Sequence, residues 1–334
     1  MDFRDHIRAK ILKKDDRILE FGPLNWPLVQ KSTDNSVYYA DIRSTDDIKK
    51  LYISNDYLKA TGISIDTEAI VDIDFVVKDS YEKTFKDVRK FDVVVLPHVI
   101  EHIPDIINFF KDVSKILKKD GKLIIFYPDA RYCFDHFRNG TTFIDAFEVY
   151  KKKVVSNASS VFDFTFNVVS ENDPTFFWNS KDLVKKLPIN DFKKSIEAYE
   201  KAQKGTMPED VHFWPFSDYQ FIKFLYDMER SGLSDFNINK FHETQHDTQE
   251  FMVILTLKNK KDTTDYVGIL SSINPQIKLS KSYDKILELE NKINDLKSIN
   301  DNLNTNISAV YNSKKYRFIR RFVNLKNLLL FIKK

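Results

Sequence analysis

The chain has 334 residues, of which 42% are hydrophobic and 14% aromatic, so it can bury one large core or two smaller ones. Its 52 basic and 49 acidic residues leave a formal charge of only +3, which gives the chain as a whole no nucleic-acid footprint. The single cysteine, Cys133, excludes a disulfide framework and a multi-cysteine zinc site. Without an apolar signal segment or a run of about eighteen apolar residues, we expect a cytoplasmic protein that does not span a membrane.

Apolar segments of strand length alternate with amphipathic ones in the first part of the chain. Strands are predicted at 17–22, 36–42, 69–76, 91–97 and 122–129. Residues 105–121 carry apolar side chains at helical spacing, with lysines near the end and Gly121 as a stop, which predicts a helix of about four turns. Because strands alternate with helices, we expect an α/β fold with a parallel, doubly wound sheet.

The regular alternation then ends. Residues 130–215 are rich in Phe, Tyr, Lys and Asn and predict an insertion that closes over the site as a lid. A helix at 217–232 and an antiparallel strand pair at 236–243 and 250–258 are predicted to restore order at one sheet edge. Residues 1–258 are therefore interpreted as one domain.

The composition changes again at the C-terminal end. A polar linker, 259–281, precedes a segment, 282–311, whose a/d heptad seam predicts a coiled coil. The seam consists of Ile286, Leu289, Ile293, Leu296, Asn300, Leu303, Ile307 and Val310. Asparagine at an a position favours a dimer, and a single helix packed on the domain is the alternative. Residues 312–334 form a basic amphipathic tail, which holds eight basic and no acidic residues from Lys314 onward and which we expect to contact anionic membrane.

Ligands of a doubly wound sheet bind beyond the carboxyl ends of its strands, where the strand order reverses. The predicted strands end at Glu20 and Gly22, at Asp41, and at Pro97 and His98. A carboxylate after the second strand accepts hydrogen bonds from ribose hydroxyls, so Asp41 indicates a nucleoside-type ligand, with a helix N-cap as the alternative. The segment "PLNWP" that follows Gly22 lacks the further glycines that let backbone N–H groups approach a pyrophosphate closely, which disfavours NAD as the ligand.

Five segments, "ILEFGPLNWP", "YYADI", "VVKDS", "FDVVVLPHVIEHIPD" and "LKKDGKLIIFYPD", resemble the successive motifs of class I S-adenosylmethionine-dependent methyltransferases. The resemblance spans roughly residues 10–258 and implies a Rossmann-like sheet with S-adenosylmethionine as cofactor. Carried over by position, the cofactor-binding residues are Glu20, Gly22, Asp41, Ile42, Asp79, Ser80 and Pro97. The resemblance assigns Glu20 and Gly22 to the methionine part. It assigns Asp41 to the ribose and Asp79 with Ser80 to the adenine, with a plain turn as the alternative for Asp79.

Methyl transfer to oxygen needs a base that removes the hydroxyl proton, and histidine suits this role near neutral pH. His98 is the preferred base and His212 the second, with a capping or core role as the alternative for His212. His98, Glu101 and His102 also form an H-x-x-E-H string, which is the signature of inverted metalloproteases and an alternative site for a divalent ion. We expect instead a metal-free site in which Glu101 and His102 are structural.

Three further segments, "HVIEHIPD", "PDARYCFDHFR" and "DVHFWPFSDYQF", look like a bacterial subgroup associated with surface-polysaccharide synthesis. The residues expected to bind the acceptor are Asp129, Arg131, Tyr132, Asp135, Arg138 and Trp214. The expected function is O-methylation of a sugar or sugar-linked group in capsule or lipo-oligosaccharide synthesis. A non-catalytic scaffold with a degenerate cofactor site in a glycan-assembly complex is one alternative, and a nicotinamide oxidoreductase is another. The expected partners are the glycan acceptor, a second copy of the chain and the inner face of the cell membrane.

Overall fold

The computed structural model describes residues 7–33, 36–54, 65–78, 80–153, 157–171, 173–179, 188–206, 210–259 and 263–332. The chain divides into two compact units, Met1–Ile273 and Asn274–Lys334. Asp79, one of the expected adenine contacts, lies outside the described residues.

The first unit is built on one seven-stranded sheet. Its strands are β1 (Arg17–Phe21), β2 (Ser36–Asp41), β3 (Phe75–Val76), β4 (Phe91–Pro97), β5 (Leu117–Pro128), β6 (Phe236–His242) and β7 (Glu250–Leu257). They lie in the order β3-β2-β1-β4-β5-β7-β6. The neighbours from β3 to β5 are parallel, whereas β7 runs antiparallel to β5 and β6 antiparallel to β7. The predicted doubly wound sheet and its antiparallel edge pair are confirmed.

The helices of the first unit are α1 (Thr45–Ser54), α2 (Tyr81–Phe85), α3 (Ile106–Ile116), α4 (Phe143–Lys152), α5 (Ala158–Asn167), α6 (Pro174–Asn179), α7 (Phe192–Gln203), α8 (Asp218–Arg230) and α9 (Tyr266–Ile273). Buried apolar clusters lie on both faces of the sheet centre, which explains why β4 reads as a continuous apolar run. Val94, Val95 and Leu96 are each 0% exposed. The Asp105 side chain caps α3 by accepting a hydrogen bond from the Asn108 N–H.

Two predicted elements are shorter than their patterns indicated. Only Phe75–Val76 of the predicted strand 69–76 pairs in the sheet. The preceding backbone is bonded elsewhere, because the Val71 N–H donates to the Leu24 carbonyl and the Ile73 N–H to the Thr45 hydroxyl. The predicted helix 105–121 ends at Ile116, and the residues that follow it already belong to β5.

The predicted linker 259–281 contains more structure than its polar composition indicated. Helix α9 packs on α8 through the rings of Tyr266 and Tyr226, and both Tyr266 and Ile273 are buried in the core. The boundary between the two units falls after Ile273, so the first unit extends past the expected end at residue 258.

The second unit contains α10 (Pro275–Asn312) and α11 (Lys314–Ile332). The apolar heptad residues of α10 are all exposed, from 48% at Leu289 to 65% at Leu296. On α11, Phe318 and Phe322 are 62% and 60% exposed. Among the described residues, no helix is both long and apolar enough to cross a membrane.

Candidate active site

A cavity of about 630 Å³ opens at the carboxyl ends of β1, β2 and β4. Its wall includes Gly22 after β1, Asp41 at the end of β2, and His98 after β4. Phe213, from the segment that leads into α8, completes one side. The volume is in the range of sites that enclose a small organic ligand, and the position is the switch point of the sheet, where β1 and β4 are neighbours.

The turn after β1 requires glycine at its first position. Gly22 has a φ of +61°, in the left-handed region, and its N–H donates to the Ala40 carbonyl of β2 at 2.9 Å. A Cβ atom there would lie 3.0 Å from Cγ2 of Val99. One glycine therefore satisfies both the backbone angle and the close approach to the chain that follows β4.

Glu20 stabilises the loop that follows Gly22. Its side chain is fully buried, and its two carboxylate oxygens accept hydrogen bonds from the N–H groups of Leu28 and Val29 at 2.6 and 3.0 Å. Glu20, which was expected to contact the methionine part of a cofactor, is not among the residues of the cavity wall, and its carboxylate binds backbone of its own chain. The loop conformation depends on this carboxylate.

Asp41 lies where a ribose-binding carboxylate is expected. One of its oxygens, Oδ1, accepts the Arg43 N–H at 2.9 Å. Burial raises the pKa of Asp41, and the bond and charge of Arg43 oppose that shift. Ile42 and Ser80 also line the cavity, and the Ser80 hydroxyl caps α2 by accepting the Lys83 N–H. Pro97 is not among the residues of the wall, and its assignment as a cofactor contact stays a prediction.

His98 is held in an unusual position by the structure around it. Its φ of +53° is in the left-handed region, which a residue with a side chain adopts at a cost of about 1–2 kcal/mol. Its N–H donates to the Phe126 carbonyl, and its ring nitrogen Nε2 lies 2.8 Å from Oε2 of Glu250. With Nε2 bonded to a carboxylate, Nδ1 is the nitrogen left to accept a proton.

Glu101, His102 and His212 meet beside the cavity, and His102 lines it. Glu101 is fully buried, and burial raises the pKa of its carboxyl. Burial also lowers the pKa of His102 to about 3, with the nearby His212 acting in the same direction. The His212 ring is buried and its Nδ1 lies 2.6 Å from Oδ2 of Asp135. Burial disfavours the charged ring, but the Asp135 carboxylate raises the pKa of His212 overall.

Comparison with known families decides the class of this site. Residues 2–154 match the profile of a family described as "Methyltransferase domain". Over this segment the chain is similar to methyltransferase domains, and the match confirms the methyltransferase activity expected from the sequence. The strand order confirms the expected doubly wound sheet. A search of curated proteins found no relative that matches the chain significantly.

A search of solved structures found similarities of low sequence identity and low TM-score. A methyltransferase from Aquifex aeolicus is 10% identical, with 76% of this chain and 89% of that chain covered and a TM-score of 0.35. A putative methyltransferase from Listeria monocytogenes is 13% identical, with 77% and 98% covered and a TM-score of 0.36. A putative zinc-dependent alcohol dehydrogenase from Rhodobacter sphaeroides is 12% identical, with 76% and 88% covered and a TM-score of 0.40.

The residues expected to bind the acceptor lie away from the wall of the methyltransferase cavity. Asp135 and Arg138 are buried and bonded to each other at 2.8 Å, and Trp214 is buried with its Nε1–H donating to the Ile103 carbonyl. Each of the three has a polar group bonded inside the protein, and their expected contact with the acceptor stays a prediction.

The other three expected acceptor residues are also engaged within the fold. Arg131 bridges Asp129, which is fully buried, and Asp218, with N–O distances of 2.6 Å to each. Tyr132 stacks on Trp178 with ring centroids 3.8 Å apart. Their expected contact with a sugar stays a prediction. The methyltransferase instead presents Phe213 and Asp210 from the same region to its cavity.

Several residues of the site, among them Glu250 and Tyr81, were not predicted from the sequence. Glu250, the partner of His98, begins β7 and pairs with Pro128 at the end of β5. Because β7 is antiparallel, its first residue lies at the same sheet edge as the carboxyl ends of the parallel strands, and this rule was sufficient to find it. Tyr81 lines the cavity directly after Ser80, and burial raises its pKa well above the usual range.

Proposed function

We propose that this methyltransferase transfers the methyl group of S-adenosylmethionine to a hydroxyl of a sugar or sugar-linked group in capsule or lipo-oligosaccharide synthesis. The observation that carries the proposal is the position of His98 on the wall of the cavity that also contains Gly22 and Asp41. A cofactor seated over Gly22 with its ribose on Asp41 brings its reactive end toward the chain that follows β4.

The reaction is an in-line displacement, in which the enzyme mainly aligns the donor and the acceptor. The C–S bond of the sulfonium breaks as the new C–O bond forms, and S-adenosylhomocysteine leaves. The hydroxyl proton passes to Nδ1 of His98, while Glu250 holds Nε2 and stabilises the protonated ring. His212 is less suited to this role, because it is buried and is not among the residues that line the cavity.

The sugar acceptor is supported by the resemblance of "HVIEHIPD" and "DVHFWPFSDYQF" to enzymes associated with surface polysaccharides. Asp210 offers a carboxylate to hydroxyl groups at the cavity wall, and Phe213 offers an apolar ring. The helical insertion at 130–215, which holds α4 to α7, is proposed to close over the acceptor.

The second unit supports a location at the membrane surface. The exposed heptad residues of α10 are proposed to pair with a second copy of the chain, because so long an apolar seam is costly to leave in water. The basic and apolar residues of α11 are proposed to bind anionic headgroups, where two tails on one dimer bind more tightly than one.

Calorimetric titration with S-adenosylmethionine tests the cofactor part, and a dissociation constant in the micromolar range is expected. Mass comparison of surface glycans from strains with and without this chain tests the acceptor part. The deletion strain is expected to lack about 14 Da, the mass of one methylene, on one glycan component. Unchanged glycans together with normal cofactor binding would contradict the acceptor class while leaving the methyltransferase assignment in place.

A further inference from the structure

Three potential metal ligands from two distant segments lie beside the cavity. One carboxylate oxygen of Glu101 and one ring nitrogen each of His102 and His212 lie within 4.8 Å of one another. Backbone contacts hold the two segments together, because the Phe213 N–H donates to the Glu101 carbonyl at 2.7 Å and His102 Nδ1 lies 3.0 Å from the Val211 carbonyl. The grouping is therefore built into the packing of the segment before α8 against the turn after β4.

Glu101 is the unexplained member of this group. It is fully buried, and neither of its carboxylate oxygens has a hydrogen-bond partner among the residues that the structure describes. The Nδ1 atom of His98 lies 3.8 Å from Oε1, beyond hydrogen-bond distance. A buried carboxylate without a partner is strongly destabilising, whereas a cation beside it supplies the missing interaction.

Both histidines have the orientation that metal ligands need. The Nδ1 atom of His102 bonds the Val211 carbonyl, and the Nδ1 atom of His212 bonds the Asp135 carboxylate. Nε2 is therefore the nitrogen of each ring that is available to a metal, and that of His102 lies 3.7 Å from Oδ1 of Asp210, beyond hydrogen-bond distance. Metal-binding histidines are commonly held in this way, by a carbonyl or a carboxylate on the other ring nitrogen.

We propose that Glu101, His102 and His212 bind a divalent transition-metal ion. Two imidazoles and one carboxylate suit Zn²⁺, Co²⁺ or Fe²⁺ better than Mg²⁺ or Ca²⁺, which prefer oxygen ligands. An ion with bonds of about 2.1 Å holds tetrahedral ligands about 3.4 Å apart. The three side chains reach that spacing by small rotations from their present separations of up to 4.8 Å.

The set differs from the H-x-x-E-H string, because His212 replaces His98. His98 has Nε2 bonded to Glu250 and faces the cavity as the proposed base. His102 lines the same cavity, so an ion held by these three residues would lie beside the acceptor. A bound ion would supply Lewis acidity that lowers the pKa of an acceptor hydroxyl. That role rests on the proposed function, whereas the binding of the ion does not.

The test uses the full-length protein after removal of metal with a chelator. Equilibrium dialysis against Co²⁺ is expected to give about one ion per chain, with the visible absorption bands of cobalt bound to nitrogen and oxygen ligands. Glu101→Gln and His212→Gln are each expected to weaken Co²⁺ binding by about 100-fold or more. His98→Gln and the exposed-site control His246→Gln are expected to bind it as the parent does.

Absence of stoichiometric binding would overturn the site, as would binding that survives both Glu101→Gln and His212→Gln. Loss in His98→Gln with retention in His212→Gln would favour the string over the proposed set. Thermal melting checks that each variant is folded. If the ligand variants do not fold, X-ray absorption of the cobalt-loaded parent protein decides, since two imidazoles in its spectrum support the site and none overturns it.

Titration of the metal-free protein with S-adenosylmethionine separates this inference from the proposed function. Cofactor binding without metal binding would overturn the metal site alone. Metal binding without cofactor binding would support the site and contradict the proposed methyl transfer.

Discussion

Replacement of Gly22 by alanine isolates the geometry of the turn that opens the cofactor cavity. Gly22 has a φ of +61°, and an added Cβ atom would lie 3.0 Å from Cγ2 of Val99. Gly232, after α8, has a similar φ of +71°, but a Cβ atom there would meet nothing within 4 Å. Gly232→Ala is therefore a matched control that carries the backbone cost without the steric contact.

The left-handed conformation costs an alanine about 1–2 kcal/mol. Forcing a methyl group against a packed side chain costs about 1–3 kcal/mol more. We therefore expect the free energy of unfolding to fall by about 1–2 kcal/mol in Gly232→Ala and by about 2–5 kcal/mol in Gly22→Ala. In Gly22→Ala/Val99→Ala the steric part is relieved, so a double-mutant cycle with the single Val99→Ala variant should show favourable coupling.

Urea unfolding followed by tryptophan fluorescence measures the stability of the first unit, which contains all three tryptophans. The Gly22 backbone lines the cavity, so calorimetry should also show S-adenosylmethionine binding at least about tenfold weaker in Gly22→Ala and unchanged in Gly232→Ala. Equal losses of stability in both glycine variants, with no coupling to Val99, would refute the close-approach explanation. Unchanged cofactor affinity in Gly22→Ala would show that the cofactor does not approach this turn.

Three further predictions concern the cofactor, the base and the second unit. Asp41→Ala is expected to weaken S-adenosylmethionine binding by about 1.5–3 kcal/mol, the value of hydrogen bonds to a charged group, and an unchanged dissociation constant in a folded protein would exclude the ribose contact. His98→Gln is expected to lower kcat about 100-fold and Glu250→Gln to lower it about tenfold, with the affinity for cofactor unchanged in both variants. Loss of cofactor binding or of folding in either variant would indicate a structural role. Deletion of residues 274–334, the whole second unit, is expected to leave a folded monomer that binds cofactor but not anionic liposomes. Light scattering measures the oligomeric state, and sedimentation with liposomes measures membrane binding. A full-length chain that is monomeric and does not bind liposomes would contradict the roles given to α10 and α11.

Elements with a strong local pattern were predictable from the sequence. The apolar run at 91–97 became β4 at the same residues, because a strand buried on both faces needs apolar side chains throughout. The strand at 69–76 was not predictable in length. Its apolar residues suit a strand, but the ladder is replaced there by hydrogen bonds to Leu24 and Thr45, which belong to other elements.

Some residues of the site could also be predicted from the sequence, and others could not. Gly22, Asp41 and His98 were found from the sequence, because the carboxyl ends of parallel strands converge in every doubly wound sheet. The internal hydrogen bonds of Glu20 and Trp214 could not be predicted from the sequence. A polar group in a motif looks the same in the sequence whether it faces a ligand or is bonded inside the protein. Burial and hydrogen-bond partners separate these cases, and both depend on the packed chain.

The sequence by itself determined that the sheet is parallel and doubly wound, that a glycine occupies the first turn, and that an acidic residue follows the second strand. Each of these follows from a local pattern and a general rule of the fold. Only the tertiary structure decided that His212 meets Glu101 and His102, and that Glu250 meets His98. These pairs are separated by more than a hundred residues along the chain. No local periodicity encodes such contacts, because they arise when distant segments bury their apolar side chains against the same sheet edge.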